Sequence, residues 1–595
     1  MTNPKRRACT TEKKIDHEFI GCEVEKSFDG CLYRGIVVAH DEPYFLVEYD
    51  DGDSEELSTT ELKKLLGQQD RKRQKTEKDI PPPCRIPGVT GVNFGGVSTI
   101  LVEIEGCNNI RKTFLTELFD PSRILELKQQ VMSTSRKLKS PAPEFTQFGY
   151  KYQLLTTTWT TGEGFRGGFG KKTFMHYFYV AVSGPGLNEI SLQAALEKIA
   201  DFGSIVSTSK LASRLELLRS PSIARRDPFS TVVSNIVEIE DIISPRGDCM
   251  TDGCGFISDD MITEILGGEA SRHLAIQVRI FAPHLGVYKG VLVRKPGIKG
   301  IHVTRSMRKV SKSLTASPSD TWAMIVVVME FPSTSNTQLF KFMEGKKSKY
   351  EPKKLSTMVT DLWSALGVDR RTIAKHKDKT IPEHTWVVGL TDPTGQIPAG
   401  HVFLTGFLEQ LNSRKQLNEV FVTRSPCVLL EDGRLIPFVR SRPSGMSAQN
   451  WEFLASLPFG GLIFSSQGNI PLPLECAKGD LDGDLYLVCW NPQLVNEITP
   501  RPARHRPDTG AKPKYRDCYN EDWFREVQEY HVNGMANMKR AQVGKMYNRM
   551  QELYSKGGMD NDDARLMAGA YLTALDNPKH GGESQLPSHL KEMLK

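Results

Sequence analysis

The segment Asp-Leu-Asp-Gly-Asp at residues 480–484 constrains this chain more than any other feature of its sequence. Its carboxylates, Asp480, Asp482 and Asp484, stand at alternate positions, and alternate side chains of an extended strand point the same way. Gly483 permits a tight bend, so the pattern predicts a loop or hairpin in which the carboxylates converge. Converging carboxylates repel one another unless a divalent cation lies between them. Mg²⁺ or Mn²⁺ suits such hard oxygen ligands and keeps positions for phosphates, which indicates phosphoryl transfer.

Two other metal or phosphate motifs are excluded by the neighbouring residues. An EF-hand loop needs glycine at its sixth position and glutamate at its twelfth, where this chain has Leu485 and Asn491. A phosphatase D-x-D-G-T motif has threonine in place of Asp484 and follows an apolar strand, which is absent here. A solvated acidic loop remains the alternative to a metal site. The acids at residues 50–53 show that a hairpin turn alone can gather Asp and Gly.

The composition of the 595-residue chain is ordinary for a globular protein, with 39% hydrophobic and 25% charged residues. The length predicts a few domains, or one large catalytic unit with an appendage. The longest apolar run, residues 322–331, falls short of the roughly 20 residues of a membrane span, so we expect no membrane contact. The chain starts without the apolar core of a secretory signal, and its eleven cysteines form no C-x-x-C pair. We therefore expect reduced thiols and no zinc site.

Charge and proline content divide the N-terminal part of the chain. Residues 1–18 are predicted to be a basic flexible terminus, and residues 67–88, charged and then proline-rich, a solvated linker. Arg71, Lys72, Arg73 and Lys75 form a basic run that is compatible with nuclear import, with a cytoplasmic location as the alternative. The net charge of +6 permits a nucleic-acid partner without establishing one.

Residues 19–66 alternate apolar and polar residues over short runs separated by turn sequences, which predicts a small all-β barrel. The string YRGIV at 33–37 and the segment YFLVEYDDGDSEEL at 44–57 resemble Tudor-like domains. In that family an aromatic cluster holds methylated lysine or arginine by cation–π attraction, which implies a methylated histone or other protein as partner. The candidate rings are Phe28, Tyr33, Tyr44, Phe45 and Tyr49. Some of them must instead fill the barrel core.

A series of motifs follows the linker in a fixed order. They are SKLASRLEL at 209–217, MTDGCGFIS at 250–258, AIQVRIFAPHLGVYKGVLV at 275–293 with VTRSMRK at 303–309, GLTDPTGQIPAGHVFL at 389–404, VFVTRSPC at 420–427, PLPLECAKGDLDGD at 471–484 and ALDNPKHG at 574–581. In sequence and order they resemble the eukaryotic cellular RNA-dependent RNA polymerases, the RNA-silencing enzymes that convert single-stranded templates into double-stranded RNA. No single motif carries this resemblance.

The resemblance implies an α+β fold whose polymerase core consists of two double-psi β-barrels with helical insertions, preceded by the Tudor-like barrel. The first barrel is expected at about 245–315 and the second at about 400–495, within a core of residues 205–595. Residues 89–204 are expected to form a mixed α/β N-terminal region of the polymerase, and residues 518–595 a helical C-terminal part.

The resemblance also implies roles for individual residues. Asp480, Asp482 and Asp484 match the family triad and would hold Mg²⁺ or Mn²⁺. Lys289 and Lys309 match lysines of the first barrel that neutralise phosphate charge in the transition state, and a solvated surface charge is the alternative for each. Arg305 and Arg424 lie in matching motifs and are candidates for contacts with phosphate or template. The implied substrates are a single-stranded RNA template and nucleoside triphosphates.

Two departures from the family pattern keep a second hypothesis open. The family's L-H-P-G-D-I-R is VLLEDGR at 428–434, and its P-H-P-N-E-C is PLPLEC at 471–476. The chain also ends soon after ALDNPKHG, where family members continue into a helical region. An active polymerase is therefore weighed against a catalytically weak or inactive adaptor for RNA binding or chromatin silencing that retains the polymerase fold.

Overall fold

The computed structural model divides the chain into two units, Met1–Gly91 and Val92–Lys595. The residues that it describes are 19, 22–28, 31–41, 44–49, 54–64, 91–92, 100–101, 103–105, 113–131, 142–147, 149–162, 172–221, 235–267, 272–317, 322–331, 355–377, 383–413, 416–499, 507, 522–534, 540–580 and 585–594. The predicted linker and its basic run lie outside the described residues. No helix in the described ranges is long and apolar enough to cross a membrane.

The first unit is a four-stranded antiparallel sheet in which each strand pairs with the next along the chain. Its strands are β1 (Glu23–Phe28), β2 (Cys31–Asp41), β3 (Tyr44–Tyr49) and β4 (Ser54–Ser58). Alternation along β3 turns Phe45 and Val47 into the core, where they meet Val24, Val37 and Leu57. Tyr44 faces the other way and is exposed. The unit is thus the small all-β fold that its sequence predicts.

Further strands and helices follow along the chain. The strands are β5 (Gly91–Val92), β6 (Ile100–Leu101), β7 (Glu103–Glu105), β8 (Ile124–Val131), β9 (Glu144–Gln147), β10 (Tyr150–Gly162), β11 (Lys172–Ser183), β12 (Ile236–Ile239), β13 (Cys254–Ile257), β14 (Ala275–Ala282), β15 (Gly286–Arg294), β16 (Ile301–Thr304), β17 (Arg308–Ser311), β18 (Met324–Phe331), β19 (His384–Thr391), β20 (Val402–Leu404), β21 (Glu419–Arg424), β22 (Gly433–Pro437), β23 (Gly461–Phe464) and β24 (Leu485–Cys489). The α-helices are α1 (Phe114–Leu118), α2 (Leu192–Glu197), α3 (Thr208–Leu215), α4 (Asp259–Leu266), α5 (Thr357–Ala365), α6 (Arg370–Lys377), α7 (Leu408–Ser413), α8 (Ala448–Ser456), α9 (Leu472–Glu475), α10 (Pro492–Val495), α11 (Trp523–Glu529), α12 (Arg540–Gly557), α13 (Asp562–His580) and α14 (Ser588–Glu592).

The N-terminal part of the second unit is a five-stranded sheet in the order β7-β8-β11-β10-β9. Its long central hairpin, β10 with β11, is antiparallel, and helices α2, α3 and α11 cover one face through a shared apolar core. That core also takes in Phe281, Val287 and Val310 of the next sheet. The N-terminal sheet and the first barrel are therefore packed as one body.

The first barrel is a seven-stranded sheet in the order β12-β16-β13-β15-β14-β18, with β17 paired to β15. Its pairing is mixed, because β13 lies parallel to β15 and antiparallel to β16. Strands that are distant in sequence are neighbours, so the chain crosses over itself between them. The loop before β13 and the face of β14 and β15 supply residues to the candidate site.

The second barrel is a six-stranded sheet in the order β20-β23-β19-β24-β21-β22. Strand β19 lies parallel to β23 and antiparallel to β24, which carries the residues after the acids. Its apolar core continues into the first barrel, because Cys254, Phe256 and Val291 belong to the same cluster as Val388 and Leu487. The two barrels are therefore fixed against each other by shared packing.

Helices α12 and α13 form an antiparallel hairpin at the end of the described chain. Arg565 on α13 makes two hydrogen bonds to Glu431, at 2.9 and 2.8 Å, and both side chains are buried. The Tyr554 hydroxyl of α12 donates to the Val428 carbonyl oxygen. Helix α13 also contacts α3, so the hairpin joins the second barrel to a helix beside the first.

Candidate active site

The acidic loop, residues 476–484, joins α9 to β24 and has an unusual backbone. Ala477 and Lys478 have φ of 56° and 50°, the left-handed region that side chains disfavour. Gly483 has φ of 130°, and a Cβ there would meet a side chain of the first barrel at 1.9 Å. The Tyr486 hydroxyl donates to the Asp480 carbonyl oxygen at 2.9 Å, which fastens the loop to the strand that follows it.

Asp480, Asp482 and Asp484 converge in this loop. One carboxylate oxygen from each lies within 4.8 Å of the others. Among the residues that the structure describes, no other group of three Asp, Glu, His or Cys side chains is close enough to hold a metal ion. The arrangement offers hard oxygen ligands from one short segment, which is the donor set that Mg²⁺ and Mn²⁺ prefer.

The first barrel supports the acidic loop through its backbone. The Leu481 N–H donates to the Asp252 carbonyl oxygen at 2.9 Å, and the Gln277 side-chain amide donates to the Asp482 carbonyl oxygen at 2.9 Å. Gly253 has φ of 85°, and a Cβ there would lie 2.6 Å from the Asp482 Cβ. The turn before β13 therefore fits against the acids only because residue 253 has no side chain.

Two cations neutralise two of the three acids. Lys289 on β15 donates from Nζ to the Asp482 Oδ2 at 2.7 Å, so the first barrel supplies a cation to an acid of the second. Arg424, at the end of β21, forms an ion pair with Asp484 and donates to the Ala477 carbonyl oxygen at 3.2 Å. The structure thus brings both residues to the acids, and their contacts with phosphate or template stay predictions.

Asp480 forms no ion pair within the described residues, although the charge of Arg424 acts on it from a greater distance, and its pKa shows the consequence. Burial, followed by the charges of Asp482 and Asp484, raises the Asp480 pKa to about 7. Burial would also raise the pKa of Asp482, but Lys289 and Lys309 outweigh it, and the pKa of Asp482 lies below its usual range. A buried carboxyl that resists ionisation beside two other acids fits a site that gains a divalent cation at Asp480.

The other predicted basic residues differ in position. Lys309 on β17 donates from Nζ to the Ser306 carbonyl oxygen at 2.7 Å, and burial lowers its pKa against the opposing charge of Asp482. It therefore lies within the electrostatic reach of the acids. Arg305 is exposed and pairs with Glu240 at 3.2 Å, so its side chain points to a surface acid and not to the triad.

Several residues of the site were not predicted from the sequence. Gln277 and Arg279 stand two apart on β14 and therefore lie on one face of an otherwise apolar strand. This spacing in the sequence could have identified them as candidate site residues. Asp252, whose carbonyl oxygen accepts the hydrogen bond from the Leu481 N–H, lies in the motif at 250–258, to which the sequence analysis assigns no site residue. Arg214 on α3 belongs to the SKLASRLEL motif, and nothing in the local pattern distinguishes it from a surface arginine.

In the first unit, the predicted aromatic residues have different environments. Phe45 is 1% exposed and Tyr49 is 7% exposed, and both belong to the core. The Tyr49 hydroxyl also donates to Glu55, which pairs with Lys26 at 2.6 Å. Tyr44 is 45% exposed. The side chains of Phe28 and Tyr33 lie outside the described residues, so Tyr44 is the candidate ring that the structure places on the surface.

Sequence models of two families match the chain. The RNA dependent RNA polymerase model matches residues 142–352 and 314–595, and a model described as PTM/DIR17-like, Tudor domain, matches residues 21–66. The polymerase matches together extend over more than half of the chain. The Tudor domain match lies before both polymerase matches and overlaps neither of them.

Individual relatives agree with these matches. Probable RNA-dependent RNA polymerase 1 of Oryza sativa subsp. japonica is 24% identical over 456 residues, which cover 66% of this chain and 57% of that protein. RNA-dependent RNA polymerase 1 of Arabidopsis thaliana is 22% identical over 455 residues, which cover 66% of this chain and 38% of that protein. The chain therefore spans little more than half of the one relative and less than half of the other.

A solved structure shows the same fold. RNA dependent RNA polymerase QDE-1 from Thielavia terrestris aligns with a TM-score of 0.56 at 17% sequence identity, covering 81% of this chain and 62% of that one. The likeness confirms the predicted fold class, an α+β polymerase core with double-psi β-barrels.

Proposed function

The chain belongs to the RNA-dependent RNA polymerase family, and on that premise we propose that it copies single-stranded RNA into double-stranded RNA from nucleoside triphosphates. The observation that carries this proposal is the contact between the Lys289 ammonium and the Asp482 carboxylate, 2.7 Å apart. It joins a phosphate-binding cation of one barrel to a metal-binding acid of the other. A nucleotidyl transfer needs these two kinds of group side by side.

The reaction class fixes what the residues must do. The 3′-hydroxyl oxygen bonds to the α-phosphorus, the bond from the α-phosphorus to the bridging oxygen breaks, and pyrophosphate leaves with that electron pair while the hydroxyl proton passes to solvent. Asp480, Asp482 and Asp484 would hold Mg²⁺ or Mn²⁺, which when bound lowers the pKa of the attacking hydroxyl and offsets phosphate charge. Lys289 and Lys309 stabilise negative charge on the phosphates, and Arg424 keeps Asp484 oriented.

Primer extension and unprimed synthesis on single-stranded RNA, with Mg²⁺ or Mn²⁺, test the proposal. We expect Asp482→Ala to lower incorporation roughly 100-fold or more, because one metal ligand and the partner of Lys289 are both lost. Asp260→Ala, which removes an exposed acid on α4, is the matched control and should retain wild-type incorporation. Equal and negligible incorporation by wild type and Asp482→Ala would instead favour the inactive adaptor.

A role in RNA silencing is the second part of the proposal and rests on the family resemblance. Double-stranded RNA made by the chain would be the precursor of small interfering RNA. Cells that carry Asp482→Ala in place of the wild-type chain should lose those small RNAs. Unchanged small-RNA levels in such cells would separate the protein from silencing without bearing on its synthesis of RNA.

For the first unit we propose binding of a methylated lysine or arginine in a histone or other protein. The match to a Tudor domain supports this proposal, and so does the exposed ring of Tyr44. Titration with methylated and unmethylated histone peptides tests it, with Tyr44→Ala expected to weaken binding of the methylated peptide. Tyr44→Phe keeps the ring and serves as the control. No difference between methylated and unmethylated peptides would contradict the proposal.

A nuclear location is proposed from the basic run at residues 71–75 alone. A fluorescent fusion of the chain should accumulate in the nucleus. Replacement of the four basic residues of that run by glutamine should redistribute the fusion to the cytoplasm. Retention of the nuclear signal after this replacement would assign import to another segment.

A further inference from the structure

Several basic side chains lie on the first-barrel side of the acids and interact with Asp482. Asp482 interacts with four cations: Lys289, Lys309 and Arg279 offset its burial, and Arg214 on α3 is stabilised by its charge. Asp252 is the second carboxylate of this group and acts on Lys309. We call Arg214, Arg279, Lys289 and Lys309 the cation cluster.

The register of the first barrel directs Arg279 toward the site. Arg279 on β14 stands opposite Lys289 on β15, and side chains of directly opposed residues in an antiparallel pair lie on the same face. Gln277, two residues earlier, lies on that face as well. Because Gln277 and Lys289 both bond to Asp482, the face that carries Arg279 is the one that meets the acidic loop.

Arg279 lies buried there without a full set of partners. The side chain is 8% exposed, and one guanidinium Nη donates to the Val278 carbonyl oxygen at 2.9 Å. Its Nε is buried and meets no hydrogen-bond acceptor in the described part of the chain. Burial lowers the Arg279 pKa to about 10 against the opposing charge of Asp482, so the environment disfavours the cation that it contains.

Arg214 repeats this condition from a different element. Its Nε is also buried, with no acceptor among the described residues, and burial lowers its pKa while Asp482 opposes the shift. Its charge in turn lowers the pKa of Lys309. Two arginines from separate elements therefore each have an unsatisfied Nε donor, and both lie within reach of the charge of Asp482. A buried donor without an acceptor destabilises the folded state, and a bound anion would supply the missing acceptor.

We propose that Arg214 and Arg279 bind the β- and γ-phosphates of the incoming nucleoside triphosphate, and the pyrophosphate that the transfer releases. This assignment rests on the proposed function, since it places the two guanidinium groups at the leaving-group end of the nucleotide. A guanidinium offers several donors in a fixed plane that matches phosphate oxygens. The phosphate oxygens would accept hydrogen bonds from the unpartnered Nε–H groups. Helix α3 would thus supply a phosphate-binding residue from outside both barrels.

Binding of inorganic tripolyphosphate, measured by calorimetry in EDTA, tests the assignment without metal or RNA synthesis. We expect the wild-type chain to bind it, and Arg214→Gln and Arg279→Gln each to weaken binding about tenfold, because each removes a charged hydrogen-bond donor. Arg279→Lys keeps the charge and should recover part of the loss. Arg525→Gln, an exposed arginine on α11 that pairs with Glu529, is the control and should bind as wild type does.

Thermal unfolding without any anion separates this role from a structural one. If a buried arginine stabilises the fold, its replacement by glutamine should lower the unfolding midpoint. Replacement of Arg214 or Arg279 should instead leave the midpoint unchanged or raise it, because it removes a guanidinium whose buried Nε has no acceptor among the described residues. Tripolyphosphate should raise the midpoint of wild type more than that of either variant.

The outcomes distinguish the two proposals. Wild-type chain that does not bind tripolyphosphate, or glutamine variants that bind it equally well, would overturn the assignment of the arginines even if RNA synthesis is observed. Weakened binding in both variants would support the assignment even if no RNA is made, and the proposed function alone would then be lost.

Discussion

Asp480 differs from the two acids beside it, because among the described residues they form close ion pairs and it does not. Its raised pKa, about 7, means that the folded chain binds a proton there at a pH where the unfolded chain has lost it. Between the ordinary carboxyl pKa of about 4 and the folded value, the free energy of unfolding therefore falls as pH rises. Above about pH 7 the loss is complete, and only a bound cation offsets it.

We expect Asp480→Asn to be more stable than wild type at pH 8 in EDTA, with an unfolding midpoint higher by about 2 °C. The advantage should disappear below about pH 3, where Asp480 is protonated in both states. Thermal unfolding across this pH range, with and without Mg²⁺ or Mn²⁺, measures it. Cation should raise the midpoint of wild type at pH 8 and leave the variant unchanged.

Asp260→Asn, an exposed acid, is the control and should follow the wild-type curve. If Asp480→Asn also follows the wild-type curve at every pH, Asp480 is not the strained member of the triad.

Gly253 makes a second prediction at the residue scale. Gly253→Ala places a Cβ where the structure leaves 2.6 Å to the Asp482 Cβ, so the turn or the acidic loop must move. Gly297→Ala is a matched control, because Gly297 has a similar φ of 76° and nothing within 4 Å of its added Cβ. Both changes strain the backbone by roughly 1–3 kcal/mol. We expect RNA synthesis to fall about tenfold or more in Gly253→Ala alone.

Equal synthesis by the two glycine variants would show that the acidic loop tolerates displacement at Asp482. Unfolding midpoints of both variants complete the comparison, since the shared backbone strain should lower them to a similar extent.

At the scale of elements, the segment 428–434 has a structural explanation for its departure from the family pattern. Glu431 in that segment forms the buried pair with Arg565, and Val428 accepts the hydrogen bond from Tyr554. The segment thus docks the hairpin of α12 and α13. Because α13 also contacts α3, the same hairpin supports the helix that carries Arg214.

Arg565→Gln should lower the free energy of unfolding by about 3–5 kcal/mol, because it leaves Glu431 buried without its partner. The double variant Arg565→Met with Glu431→Leu removes both charges and should recover most of that loss. Urea denaturation of wild type, Arg565→Gln, Arg565→Met, Glu431→Leu and the double variant measures the difference. Independent, additive losses in the double variant would show that the two residues do not act as a pair.

Local patterns predicted the acidic loop and the small barrel, because their spacing and turn residues act within short segments. The pairing of Lys289 with Asp482, 193 residues apart, could be expected only from the family resemblance. Gln277 and Arg279 could have been recognised as polar residues on one face of an apolar strand. Arg214 could not, because its burial depends on how α3 packs. Likewise, only the observed strand pairing shows that Phe45 faces the core and Tyr44 does not.

At the scale of the whole molecule, the chain consists of two separately folded units with a predicted linker between them. Limited trypsin digestion should cut first within residues 67–88, because that sequence is rich in Lys and Arg and carries few apolar side chains. Mass spectrometry should identify a stable large fragment that starts shortly before residue 92. A first cut inside the region matched by the polymerase family would contradict this division.

The acids lie in one barrel and most of the cation cluster in the other, and the hydrogen bonds from Leu481 to Asp252 and from Gln277 to Asp482 join them. Neither barrel alone contains all the residues of the site. A gene interrupted between residues 331 and 355 would encode two products, each with half of the chemistry. Each product alone would lack a complete site, so RNA synthesis would depend on the association of the two products.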